Sequence, residues 1–278
     1  MPRHLTLKHR AAAAATSLLL TATAAAGALA LPGTAGAAAP SDEYVALGDS
    51  YSSGNGTGSA NLNYGCYRSS NAYAPIIADQ RRRTSLAFKA CSGATTVDVV
   101  NNQISALSAA TDFVTFTAGG NDVGFVDLIL NCWGNYDQSQ CLATADEVNR
   151  KIDNDLPARL DSLHAAVGAA APNALVMQLG YGRPFGANLG CAQANGITSA
   201  ERTALNGVVD HLDSTIAERA AANGITYISV IGAFTGHDVC ANDPWLVGKY
   251  AWDVRDVYHP TASGHRDGYV PLVRALMG

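Results

Sequence analysis

The residue that most invites a chemical reading is Ser50, set in Gly48-Asp49-Ser50-Tyr51-Ser52-Ser53-Gly54 directly after the apolar run Tyr44-Val45-Ala46-Leu47. A short apolar run bounded by Gly reads as a buried strand, which leaves Ser50 where a strand gives way to a helix or loop. A serine hydroxyl so placed acts as a nucleophile only if a base lies beside it. The same tripeptide also reads as a turn that caps a helix, because Asp and Ser are ordinary turn and cap residues. Three further segments bear on the choice. In Ala118-Gly119-Gly120-Asn121-Asp122 the Gly pair lets the backbone turn tightly and present the Asn121 amide, although Asn121 alone also reads as a helix N-cap. In Cys91-Ser92-Gly93-Ala94-Thr95-Thr96, Gly93 can bring a backbone N–H close to a ligand with no side chain in the way, or be a plain loop glycine. Near the C-terminus, Asp256 and His259 stand three residues apart, close enough for a carboxylate to hold one imidazole nitrogen while the other faces a substrate. Pro260 favours a helix beginning just after His259, and the field of a helix N-terminus favours the neutral imidazole that a general base needs. A surface His preceding a helix is the plainer reading.

These residues need elements to hold them. Apolar β-type runs recur at Tyr44–Leu47, Leu86–Ala90, Phe113–Thr117, Ala174–Leu179 and Ile225–Val230. Helical patterns lie between them at Asn71–Gln80, Ala145–Ala170 and Ser199–Ala222, and a last one follows Pro260. Strands alternating with helices predict an α/β fold, a three-layer α/β/α sandwich on a mostly parallel, doubly wound five-stranded sheet. Such sheets keep functional groups beyond the carboxyl ends of their strands, where each of the four segments falls.

The first ten residues carry Arg3, Lys8 and Arg10 with no acid, and are followed by an Ala/Leu run over 11–31 and the small-residue stretch 33–39. This is the pattern of a secretory signal peptide over 1–39, cleaved near Ala37 to Pro40. A membrane anchor is the alternative, since about 20 apolar residues span a bilayer, but the Ala richness and small-residue exit favour cleavage. The expected product is one soluble extracellular domain over 40–278, with no repeat or linker to divide it. Loss of the leader removes three basic residues and no acidic one, taking the net charge from −5 to −8 and arguing against a nucleic-acid partner. All six cysteines lie after the leader, and an even count in an exported chain points to three disulfides, with no C-x-x-C pair to support a metal. Sequential pairing is expected, Cys66 with Cys91, Cys132 with Cys141 and Cys191 with Cys240, because each closes a local loop between neighbouring elements.

GDS(Y)S, a Gly loop, GGND and DxxHP, in that order and each near an expected strand end or helix start, resemble the SGNH (GDSL) hydrolase family over essentially the whole chain after the leader. The resemblance is closest to the secreted lipases and esterases of filamentous actinobacteria, which share the size, the exported leader and three disulfides. It implies that Ser50 is the nucleophile and His259 the general base and acid. The backbone N–H of Ser50, that of Gly93 and the amide of Asn121 become the oxyanion donors. Asp256, which matches the family's Asp three residues before the His, is expected to be the third catalytic residue, although some members of the secreted branch orient the His with a main-chain carbonyl instead. Asp49 is not the acid partner in the family and is expected to organise the turn. A Cys66–Cys91 bridge would brace the loop that carries Gly93.

The expected reaction is hydrolysis of carboxylic esters through an acyl-serine intermediate, without metal or organic cofactor. Tyr51, Phe125, Trp133, Tyr136, Tyr181 and Phe185 fall on loops after expected strands and are candidates for an apolar acyl pocket. Secretion, that pocket and the resemblance favour lipid-like esters, by a monomer that makes transient contact with a lipid interface. A phospholipase A or a short-chain carbohydrate acetylesterase is the runner-up. A lipid- or glycan-binding protein that has lost catalysis is the rival from another class, and the joint presence of Ser50, Asn121 and His259 argues against it. His237 and His265 rank behind His259 with mainly structural expectations, and His164 and His211 sit in helical patterns where solvation or packing is expected.

Overall fold

The computed structural model describes residues 42–133 and 137–278. The expected leader, its cleavage region and Tyr136 therefore lie outside the described residues. Contacts divide the chain into Met1–Ala38 and Ala39–Gly278, and every element described belongs to the second unit.

Side chains alternate across a strand, so a strand that is apolar on both sides must be covered on both. In β1 (Asp42–Ala46) and the residue after it, Tyr44 and Ala46 join one apolar cluster while Val45 and Leu47 join another with Val114 and Phe116. The remaining strands are β2 (Thr84–Phe88), β3 (Phe113–Phe116), β4 (Leu175–Leu179) and β5 (Thr226–Ile228). All pairings are parallel and the order is β2-β1-β3-β4-β5. The expected runs are all present, with ends shifted by one or two residues; β2 begins earlier, at polar Thr84 and Ser85, which an edge strand accepts.

The helices are α1 (Ser50–Ser53), α2 (Tyr73–Gln80), α3 (Thr96–Asn102), α4 (Gly120–Val123), α5 (Phe125–Asn131), α6 (Gln138–Asn154), α7 (Leu156–Ala170), α8 (Ser199–Ala222), α9 (Ile231–Phe234) and α10 (Val270–Met277). α2 and α10 pack together over one face of the sheet, and α3, α7 and α8 lie side by side over the other, giving the three layers. Capping boxes at Thr95/Asp98 and Thr198/Glu201 start α3 and α8 where short polar residues precede apolar periodicity.

One helical expectation changes. The pattern over Ala145–Ala170 is two helices, not one: Pro157 has no N–H to donate and sits in the first turn of α7, so the chain breaks at Asp155. The helix after Pro260 is present and opens at Ala262, two residues on. His259–Thr261 first pairs with Trp245–Val247, and Thr261 Oγ1 then accepts from the Gly264 N–H as a π-helix over Gly264–Tyr269 leads into α10.

In this strand order the crossovers leave β1 in opposite directions, so β1 and β3 flank the switch point where doubly wound sheets bind ligands. The segments that follow those two strands are the ones carrying Ser50 and Asn121.

Candidate active site

Gly48 sits at φ +117, and a Cβ there would meet the Thr117 carbonyl oxygen at 2.5 Å, so only glycine lets the chain pass β3 and turn. The buried Gln103 amide clamps this peptide from both sides, accepting from Gly48 N–H at 2.7 Å and donating to Gly48 O at 2.9 Å. Asp49 caps α1 by accepting from Tyr51 N–H at 3.0 Å, and it also accepts from the Thr117 hydroxyl at 2.5 Å and the Tyr181 hydroxyl at 2.6 Å. Burial raises its carboxyl from 3.8 to about 6 against the lowering effect of those bonds. The expected turn-organising role of Asp49 thus extends to tying the ends of β1, β3 and β4 together.

Ser50 is the first residue of α1, where an amide has no intrahelical partner. Its hydroxyl lies 2.7 Å from His259 Nε2. The other hydroxyls of the motif are buried and engaged, Ser52 Oγ accepting from Thr117 N–H and Ser53 Oγ donating to Asn55 Oδ1.

His259 Nδ1 lies 3.1 Å from the Val257 carbonyl oxygen. A carbonyl only accepts, so Nδ1 carries the ring proton and the Nε2 lone pair faces Ser50. Asp256 does not hold the imidazole. Its Oδ1 accepts from Gly56 N–H at 2.9 Å and its Oδ2 from the Tyr67 hydroxyl at 3.4 Å. The expectation of an Asp256–His259 pair is corrected on this geometry. Tyr258 adopts φ +58, which curls the histidine back over a carbonyl two residues earlier, and the Asp256 carboxylate turns toward the 55–67 segment. The Tyr51 hydroxyl donates to Tyr258 O at 2.6 Å and its ring lies 4.8 Å from the His259 ring, propping that turn. Burial pulls the His259 imidazole down from 6.5 to about 4, outweighing the raising effect of the Val257 carbonyl.

Gly93 takes φ +83, and the space its Cβ would fill is empty. Its loop is tied three ways: by the Cys66–Cys91 disulfide, by Cys91 N–H on Gly48 O, and by Thr96, whose N–H and hydroxyl donate to the Asp122 carboxylate at 2.9 and 2.7 Å. Asn121 donates one Nδ2 hydrogen to Ala94 O at 3.0 Å, which aims the amide and leaves its second hydrogen available. The Cys132–Cys141 and Cys191–Cys240 bridges are also present, as expected.

Ser50, Gly93, Asn121 and His259 line one cavity of about 400 Å³. Of the aromatic candidates, Tyr51, Phe125 and Tyr181 line it; Phe185 instead packs edge-on against Tyr258 and Trp133 packs against the core. Much of the apolar wall was not singled out from sequence: Ile129 and Leu130 from α5, Leu212 from α8, and Val254 and Tyr258. None of the other described histidines lines the cavity. His237 stacks on Trp245, His164 meets Gln178, His211 meets Asn149, and His265 is buried with Nδ1 accepting from Tyr73 N–H.

Chemically, the arrangement joins a hydroxyl in contact with a neutral, proton-accepting imidazole to an apolar chamber bordered by N–H donors. The chain matches the GDSL-like Lipase/Acylhydrolase family over residues 46–266. It is 41% identical to Lipase 1 of Streptomyces coelicolor over 86% of this chain and 89% of that protein, and 40% identical to a lipase of Streptomyces rimosus over 96% and 98%. Among solved structures, phospholipase A1 from Streptomyces albidoflavus NA297 superposes with a TM-score of 0.80 at 42% identity, covering 84% of this chain and 98% of that one. The extracellular lipase of S. rimosus does so at 0.80 and 39%, covering 84% and 99%. An acetylxylan esterase from Geobacillus stearothermophilus, at 16% identity and a TM-score of 0.52, shares the fold alone. Sequence, fold and family model agree over most of the chain, which belongs to the GDSL-like lipase/acylhydrolase family and is a carboxylic ester hydrolase.

Proposed function

We propose that Ser50 is the nucleophile and His259 the general base and acid, with the Val257 carbonyl as the group that orients the imidazole. Ser50 N–H, Gly93 N–H and the free Asn121 Nδ2 hydrogen stabilise the oxyanion, and the substrates are lipid-like esters met outside the cell by a monomer. The observation that carries the reading is the 2.7 Å approach of Ser50 Oγ to His259 Nε2 at an apolar cavity.

In the first half-reaction His259 Nε2 takes the Ser50 proton as Oγ bonds to the acyl carbon. The electron pair displaced onto the carbonyl oxygen is met by the three donors; loss of one such donor costs about 2.7–4 kcal/mol in the transition state. Collapse expels the alcohol, which leaves with the proton from His259. Water then gives a proton to His259 as its oxygen bonds to the acyl carbon, and on collapse the Ser50 Oγ–acyl bond breaks, the acid is released and His259 returns that proton to Oγ, restoring the Ser50 hydroxyl. The imidazolium in each half-reaction is paired with a carbonyl dipole instead of a carboxylate. Asp256 is then a positioning residue, holding the His259 segment against Gly56 and Tyr67.

The test is stoichiometric labelling of Ser50 by a fluorophosphonate, joined to kcat/KM for esters from acetyl to long-chain acyl and for phosphatidylcholine. Ser50→Ala and His259→Ala should each remove nearly all turnover, and the double variant should match either single one, because members of one catalytic unit are not additive. Substantial turnover by purified Ser50→Ala ends the assignment. A phospholipase A-type specificity is the second reading, favoured by the 42% identity to a phospholipase A1, and phosphatidylcholine in the panel separates it.

A further inference from the structure

Apolar side chains from separate segments stand exposed around the mouth of the cavity. Val126 and Leu130 of α5 and Val254 line it, and all three also face solvent. Two residues before Val254, Trp252 is fully exposed, a position in which an indole gains nothing from the fold. Arg255, also at the mouth, lies over the ring of Tyr64, itself 73% exposed. Large apolar side chains gathered in this way mark an interaction surface, and aromatic residues favour boundaries that are apolar on one side and wet on the other.

Charge decides which surface it fits. Arg255, a cation that lines this mouth, is already paired with Asp253 at 2.6 Å, and Asp127 is exposed next to Val126. The whole chain carries a net charge of −5. Attraction to anionic headgroups needs basic residues free to meet them; among the described residues Arg255 is engaged by Asp253, and Lys151, near the start of α5, stands between Asp127 and Glu147.

We propose that this rim docks the protein on an electrically neutral, zwitterionic lipid surface, with Trp252, Val254, Val126 and Leu130 entering the headgroup boundary so that the cavity opens onto the acyl layer. The inference rests on the lipid-ester reading above. Docking is driven by apolar burial, and it is therefore insensitive to salt.

The experiment uses Ser50→Ala protein purified from culture medium, so that adsorption is measured without hydrolysis, with phosphatidylcholine vesicles in a flotation assay. Binding should be equal in low and high salt. Trp252→Ala should weaken it by about tenfold, the loss of one buried large side chain, and Trp252→Phe should restore most of it. In the active background, Trp252→Ala should leave turnover of a monomeric acetyl ester unchanged, because Trp252 does not line the cavity, while turnover of vesicle lipid falls. Equal partitioning of Trp252→Ala and its parent, binding abolished by salt, or a Trp252-dependent dimer in sedimentation would each overturn the proposal. Vesicle binding that depends on Trp252, with acetyl-ester turnover but none on any long-chain or phosphatidylcholine ester, would leave the docking surface standing and remove the lipid-ester reading.

Discussion

An imidazole accepts a proton only when it is neutral, and what surrounds His259 decides over which pH range that holds. A carboxylate partner would hold the ring charged to higher pH; the Val257 carbonyl does so weakly, and burial lowers the ring to about 4. The acid limb of kcat/KM should therefore rise through an inflection well below 6.5 and be flat from neutral pH upward. An inflection above 6.5 in a pH–rate profile would mean that a carboxylate reaches the ring in solution. Asp256→Asn tests the same point from the other side. Because Asp256 bonds Gly56 and Tyr67, the substitution should lower kcat by less than about tenfold and leave the inflection in place, where a triad carboxylate lost in a serine protease costs roughly 10⁴. Ser50, Gly93, Asn121 and His259 were legible in the sequence because side-chain type and a glycine's freedom are written there beside strand ends. The Val257 carbonyl was not, since every residue has a carbonyl and only the left-handed turn at Tyr258 selects this one.

At the scale of elements, the site is an agreement between loops that follow different strands. The β1, β3 and β4 ends meet on Asp49, and the Gly93 loop meets the Asn121 turn through Thr96 and Asp122. The alternation of apolar runs sufficed to predict the parallel sheet, because each run needs cover on both faces. It could not reveal the Gln103 clamp on Gly48 or the reach of Leu212 into the cavity, since those contacts are set by how α3 and α8 pack. The disulfides separate stability from catalysis. Cys191–Cys240 closes a loop of 49 residues and lies away from the Gly93 loop; Cys66–Cys91 closes 25 and anchors it. Replacing both members of the first pair by Ala should give the larger fall in the urea midpoint, since the entropic gain from a bridge grows with loop length. Replacing both members of the second should lower kcat more than it raises KM, by about 10²–10³ if the Gly93 donor is lost altogether. Equal kcat values for the two folded variants would show that the bridge does not brace the donor.

At the scale of the whole molecule, folding buries groups whose charged forms the unfolded chain would hydrate, and this sets a dependence of stability on pH. His265 is buried between Tyr73 and Tyr269 with its Nε2 unbonded, and burial, reinforced by nearby His259, lowers it from 6.5 to about 3. His259 is lowered to about 4. Both are protonated more readily in the unfolded chain, so their contribution to stability is complete above 6.5 and is lost as pH falls toward 4 and 3. Asp49 acts in the opposite sense. Its carboxyl is raised from 3.8 to about 6 by burial, so the folded chain holds its proton more tightly, and that contribution is present below 3.8 and lost as pH rises through 6. His164, also lowered by burial, adds to the two histidines, and Asp256, also raised by burial, adds to Asp49, so between about 4 and 6 three histidines oppose two carboxyls and the unfolded chain takes up more protons than the folded one. The urea midpoint should fall on acidification from pH 7 to 4.5. In His265→Gln, which keeps an acceptor for the Tyr73 N–H but cannot be protonated, that fall should be smaller. A midpoint that rises on acidification would show that the buried carboxyls outweigh the imidazoles, and an undiminished fall in His265→Gln would show that His265 is solvated in the native protein.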